Sequence, residues 1–293
     1  MAQGQAGGTP PSDAASHPGD EAPAPVFKPP RQPFLEVLGA LTQRRTVVLG
    51  VAGVIIFFAV WEVAHYVTPE EKQRFLPAVE QVVAEIAYLF AEKNFIADVG
   101  TSLYRIYASF FVASLIAVPL GVFMGCFVKA RALISPTTGG WRYLPAASFA
   151  PLLLVWFGPT DFAKMALLFL GCFFFLVALI LDNTLAVQRE LIESGLTMGA
   201  KRRQVVGITF RAAAPAILDS MRNMIAVAWT YLVIAEIIVA TDGIGAVMMR
   251  AARFLHVDIM MGGILTIGVL GVLTDISFRI ASRVLFPYLR VRR

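Results

Sequence analysis

From Thr46 onward the chain keeps returning to apolar runs long enough, or nearly long enough, to cross a lipid bilayer. A helix needs about 20 apolar residues to span a hydrocarbon core about 30 Å thick. Runs at residues 46–67, 103–128, 162–181, 216–240 and 259–280 meet that need, and 143–157 makes a shorter sixth. In lipid every backbone N–H and C=O must be satisfied within the chain, so such segments form helices or closed barrels, and runs of this length form helices. The sequence therefore predicts an all-α integral membrane protein with six transmembrane helices.

Composition agrees. Of 293 residues, 57% are hydrophobic and only 15% charged, against about 25% charged in soluble domains. The net charge of +5 sits mostly in short connections between apolar runs, which reads as membrane topology and not as a nucleic-acid-binding face. Arg44/Arg45, Lys129/Arg131, Lys201–Arg203 with Arg211, and residues 279–293 fall on one face of a six-span chain. Fewer basic residues, among them Lys72, Arg74, Lys93, Lys164, Arg250 and Arg253, fall on the other. The positive-inside rule makes the first face cytoplasmic, with both termini there.

Residues 1–32 are rich in Pro, Gly and Ala, and are expected to be a disordered cytoplasmic tail ahead of a transmembrane domain at 33–293. The tail lacks the basic and apolar regions of a cleaved signal peptide, so the first span is expected to remain as an anchor. Between spans one and two, residues 78–91 place Val79, Val82, Val83, Ile86 and Leu89 at helical spacing. That pattern predicts an amphipathic helix lying along the outer surface. Pro145 and Pro151 interrupt the third run and predict a bent or partly broken element.

Cys126 and Cys172 lie in separate apolar runs and read as inert small hydrophobes, and His17, His65 and His256 are scattered. No metal site is expected. Glu236 lies in the apolar end of span five, where a carboxylate is costly. It reads either as a pathway or gate residue or as a structural partner of the 241–245 turn or of a second copy of the chain. Trp229 carries the same two readings, pathway lining or packing. Pro119, Gly121 and Gly125 predict a kink and close helix contact in span two, and Asp182 and Asn183 a cap or partner contact at the end of span four.

The interval 188–207 holds most of the remaining polarity. Leu185, Ile192 and Leu196 make an apolar stripe flanked by Arg189, Glu190 and Glu193. Gly199 falls where such a helix needs a residue with positive φ, and Lys201, Arg202 and Arg203 begin a second short helix. Taken on its residues alone, this is either a docking element for a partner or an ordinary amphipathic surface loop.

Further motifs bear on that choice. Glu193-Ser194-Gly195, three residues, Gly199, and later Ala212-Ala213-Ala214-Pro215 resemble the EAA loop of binding-protein-dependent ABC importer permeases. The segment from Tyr143-Leu144-Pro145 to Trp156-Phe157-Gly158, then Ala228-Trp229 with Ala235-Glu236, then Asp242-Gly243-Ile244-Gly245, resemble further segments in the same order. Together they point to the nitrate, sulfonate, taurine and bicarbonate branch. Two departures stand out: Ser194 and Gly195 replace two alanines, and Arg211 replaces a proline common in the family.

The resemblance implies a type I importer permease fold with a cytoplasmic coupling helix. It places coupling at Glu193, Ser194, Gly195, Gly199, Ala200, Lys201 and Arg202. It implies two ATP-binding subunits that bind ATP and Mg, a second permease copy, a periplasmic or lipoprotein substrate-binding protein, and location in the bacterial inner membrane. The chain has no phosphate-binding loop of its own, because Gly199-Ala200-Lys201 lacks both its context and the following hydroxyl. It is expected to be no enzyme and to bind no cofactor. The competing class is an ion-coupled secondary transporter, which usually shows internal repeats and clustered midplane ionisable groups; neither is legible in the sequence.

Overall fold

The structure, a computed structural model, describes residues 42–288, so the tail expected at 1–32 lies outside the described residues. The chain divides into residues 1–53 and 54–293. Of the first unit, the described part is the beginning of α1 (Gln43–Val67). All elements after it belong to the second.

Five described helices are long and apolar enough to cross a membrane: α1, α4 (Phe95–Cys126), α7 (Asp161–Leu185), α9 (Arg202–Ile238) and α11 (Val257–Leu285). Between them lie α2 (Glu70–Gln73), α3 (Val79–Glu92), α5 (Val128–Trp141), α6 (Ala150–Phe157), α8 (Arg189–Thr197) and α10 (Ile244–Arg253). Large apolar side chains on α1, α4 and α11 stay exposed, among them Phe57, Phe111, Leu115 and Val272. That is what helices facing lipid require.

Several boundaries differ from the sequence reading. Span two begins at Phe95 and not near 103, which adds two turns before Arg105. Span five begins at Arg202 and not near 216, because the second loop helix runs into it unbroken through Pro215. The third span is not one helix. A 3₁₀ turn (Ala146–Phe149) leads into the eight residues of α6, roughly 20 Å of helix in all and short of the hydrocarbon core. Pro145 precedes the 3₁₀ turn and Pro151 opens α6, so neither can extend a helix through this point. The sequence reading also passed over α5, whose interior carries Pro136.

The core is α4 against α7, with α9 packed across both. Ile106, Phe110, Ala113 and Ala117 on α4 meet Leu168, Cys172, Leu176 and Ile180 on α7 and Ile225, Ala228 and Leu232 on α9 in one buried cluster. Ser109, Ala113, Ala117, Gly121 and Gly125 put a small residue at every fourth position of α4, which lets the helices approach closely. A methyl group on Gly121 would stand 2.7 Å from Ile180 Cγ2, and one on Gly125 would stand 2.6 Å from Thr184 Cβ.

These contacts fix direction. Arg105, in the third turn of α4, meets Asp161 at the start of α7, while the last turn of α4 meets the last turn of α7. The two helices therefore run parallel, and the chain must return the length of the bundle between Cys126 and Asp161. The short pieces α5, the 3₁₀ turn and α6 make that return.

Within the second unit, the later turns of α1 also shape the start of α3. Trp61 Nε1 donates to the Pro77 carbonyl at 3.0 Å, and Glu62 Oε2 accepts the Val79 N–H at 3.0 Å. A carboxylate at a helix N-terminus satisfies an orphan donor and the helix dipole together.

Candidate functional site

The two ends of the bundle carry different chemistry. At one end α7 leads through α8 into α9. Ile192 is partly covered and Gly195 buried, whereas Leu191, Leu196 and Met198 are exposed. The apolar stripe expected from Leu185, Ile192 and Leu196 is thus largely open, with Leu185 and Leu196 both about half-exposed. Arg189, Glu190, Glu193 and Ser194 are exposed as well. Apolar and charged side chains together cover a helix that this chain leaves uncovered.

Its C-terminus is built tightly. The Gly199 N–H donates to the Leu196 carbonyl at 2.9 Å and the Ala200 N–H to the Gly195 carbonyl at 3.0 Å. This pair of bonds is the Schellman ending, with the residue between them in the left-handed region. Gly199 holds φ at +84° there. Beyond it, the Gln204 side-chain oxygen accepts the Lys201 N–H at 2.7 Å, which caps the start of α9. Gly195 lies under α9: a methyl group on it would stand 3.1 Å from Ile208 Cδ1. A small residue is needed there, as the family's alanine would be, and Ile208 would yield slightly to admit one.

The sequence-predicted coupling residues, Glu193 to Arg202, therefore sit together on one helix–turn–helix. Nearby, Asn183 Nδ2 reaches across to the Ala216 carbonyl (3.1 Å) and Ser220 Oγ (2.8 Å), tying the end of α7 to α9. Arg222 Nε donates to Asp275 Oδ1 at 2.5 Å, joining α9 to α11.

The opposite end holds a cluster of which sequence reasoning named only Glu236 and the 241–245 turn. Arg105 is fully buried. Its Nε donates to Asp161 Oδ1 at 3.0 Å, and its Nη1 to Glu236 Oε1 and to the Asp242 carbonyl, each at 3.0 Å. Its Nη2 donates to Asp242 Oδ1 at 2.6 Å and also pairs with Asp161. Lys164, buried too, donates to Asp242 Oδ1 at 2.8 Å and to Thr241 Oγ1 at 2.7 Å.

Glu236 anchors the other side. Ser102 Oγ donates to its Oε1 at 2.7 Å and accepts the Ile244 N–H at 3.0 Å, while the Gly245 N–H donates to Oε2 at 2.8 Å. Asp98 Oδ1 accepts the Gly243 N–H at 2.7 Å. Gly243 has φ +95°, and a methyl group on it would run into the Glu236 carboxylate. Partial burial pushes the Asp242 carboxyl up, but hydrogen bonds from Lys164, Thr241 and Arg105 hold it well below the usual carboxylate range.

Of the two candidate pathway residues, Glu236 is in this cluster with the 241–245 turn as its partner. Trp229 is buried in the α4–α7–α9 core, and its indole N–H has no acceptor among the described residues. Arg105 was detectable in principle, since an ionisable residue within a membrane helix marks a site. Placing the helix start near 103 put it at a boundary and hid it.

A bundle of membrane-length helices bearing an uncovered helix–turn–helix at one end is, in class, a multi-pass membrane protein. Residues 117–290 match the family described as binding-protein-dependent transport system inner membrane component, and the chain belongs to that family, the membrane permeases of ABC importers. The taurine transport system permease protein TauC of Escherichia coli is 29% identical over 253 residues, covering 83% of this chain and 90% of its own length. A putative ABC transporter permease of Methanocaldococcus jannaschii is also 29% identical, over 70% of this chain and 79% of its own. The putative aliphatic sulfonates transport permease SsuC of Bacillus subtilis is 26% identical, over 73% and 78% respectively. A chain of the MetNI methionine ABC transporter, solved in inward-facing conformations, superposes with a TM-score of 0.58 at 18% identity. It covers 65% of this chain and 95% of that one, and shows a common fold.

Proposed function

We propose that this chain forms the translocation pathway of an ATP-driven importer for a small anionic solute of the taurine, sulfonate, nitrate or bicarbonate class. The uncovered helix α8, ended by the Gly199 turn and continuous through it with α9, carries the reading. An exposed helix bearing Leu191, Leu196 and Met198 beside Glu190 and Glu193 fits a groove on a partner. Through Gly195 against Ile208, a push on α8 is passed to the root of a membrane-spanning helix.

In this reading two ATP-binding subunits, holding ATP and Mg, grip α8 on each of two permease copies. A periplasmic or lipoprotein binding protein delivers the solute at the Arg105 end. Lys129, Arg131, Lys201, Arg202 and Arg203 gather at the α8 end, which fits a cytoplasmic position in a bacterial inner membrane, with both termini on that side. The solute class rests on the relatives that transport taurine and aliphatic sulfonates.

The test is ATP-driven uptake by the complete transporter in proteoliposomes, with the parent compared with Glu193→Lys and Gly199→Pro. Both variants are expected to insert but to lose bound ATPase or uptake-coupled hydrolysis. Normal uptake by both would overturn the coupling assignment. Calorimetry of the binding protein against the four anions identifies the solute, and binding of none of them would overturn the class.

A further inference from the structure

We infer that the Arg105 cluster is a clasp that stays closed throughout the transport cycle, and that Arg105 is a positioning residue for coupled transport. The inference rests on the importer reading and concerns what moves within it. The guanidinium donates to three separate parts of the fold: Asp161 on α7, Glu236 on α9, and both the carboxylate and carbonyl of Asp242 in the turn before α10. Lys164 repeats the tie from α7 to the same turn. Ser102 and Asp98 add two more from α4, through Glu236 and through the backbone N–H groups of Gly243 and Ile244.

A gate at this position would have to pull these charges apart. Arg105 and Glu236 are each at 0% relative exposure and Lys164 at 1%, while Asp161 and Asp242 are about half-exposed at the rim, so separation would leave the buried Arg105, Lys164 and Glu236 charges without counter-ions, which is unfavourable. The turn is committed as well, since it folds around the Glu236 carboxylate through Gly243 and Gly245.

The α8 end is built otherwise. Its cross-helix ties, Asn183 to Ala216 and Ser220 and Arg222 to Asp275, are fewer among the described residues, and none of them holds a fully buried charge as Arg105, Lys164 and Glu236 do at the clasp. With one end fixed and the other lightly tied, displacement of α8 tilts α9 about the clasp. The ends of α4, α7, α9 and α10 at the clasp move as one block, and the pathway opens along some other surface of the chain.

The experiment uses the complete transporter in proteoliposomes. Native thiols are removed by Cys126→Ala and Cys172→Ala, and Thr160→Cys with Ala240→Cys are bridged by methanethiosulfonate linkers of graded length. These two positions flank the clasp without belonging to it. ATP-driven uptake within twofold of the unbridged protein is expected. Uptake that stops on bridging and returns with reductant would overturn the closed clasp.

In the second arm, Arg105→Gln is expected to keep ATP hydrolysis while uptake per ATP falls at least tenfold, with partial recovery in Arg105→Lys. An unchanged ratio, whether because Arg105→Gln works normally or because uptake and hydrolysis fall together, would overturn the positioning role. Failure of the unmodified parent to show ATP-driven uptake would sink the importer reading instead, so the two failures are distinct.

Discussion

At Gly199 the backbone leaves α8 with φ of +84°, a conformation that costs an L-residue with a Cβ about 1–2 kcal/mol. Gly199→Ala should therefore loosen the Schellman turn, lowering retention of the ATP-binding subunits several-fold on purification, while Gly199→Asn should lose less. Equal retention by the alanine variant would mean that the turn does not set the pose of α8. Gly199 was legible because its signal is local: a glycine directly after an amphipathic run. Arg105 was not. Its carboxylate partners lie 56, 131 and 137 residues away in sequence, and nothing near position 105 names them. Glu236 stood out as an intramembrane carboxylate, yet the choice between gate and structural partner needed the fold around it.

Helix α9 shows how an element boundary escapes hydropathy. Arg202, Arg203, Gln204 and Arg211 make its first turns polar, so a window seeking apolar residues begins the span beyond them, and Pro215 reinforces the break. The structure instead has one helix of 37 residues, about 55 Å long. Arg211 matters because a residue with a backbone N–H at this point keeps the helix bonded one turn before Pro215. Arg211→Pro would remove the bond to the Gly207 carbonyl and add a ring clash, at about 3 kcal/mol. With Pro215 it would leave two prolines one turn apart. The variant should insert, but its uptake per ATP hydrolysed should fall several-fold in proteoliposomes. A parental ratio would show that α9 need not be stiff between α8 and the core. The opposite error occurred at α5, a helix passed over because Pro136, Gly139 and Gly140 give its sequence the character of a turn.

For the whole molecule, five of the six expected spans and their order were readable from run length, because lipid leaves the backbone so few choices, whereas the short third run is a 3₁₀ turn and an eight-residue helix. The parallel pairing of α4 with α7 was not, since it depends on which small residues meet which neighbours. That pairing has a consequence for synthesis. Two parallel neighbours oblige the chain to cross back between them, and it does so with α5 at about 21 Å and the 3₁₀ turn with α6 at about 20 Å. Neither piece spans the lipid alone, and both leave the ribosome before α7 exists. Insertion of this stretch should therefore be post-dated: it waits for α7 to enter and for Asp161 and Lys164 to find their partners. A topology reporter fused at Gly158 in a truncated chain should stay largely cytoplasmic, while the same reporter placed after Thr241 in a chain carrying α7 and α9 should lie outside. A uniformly external signal already at Gly158 would show that the short pieces insert unaided.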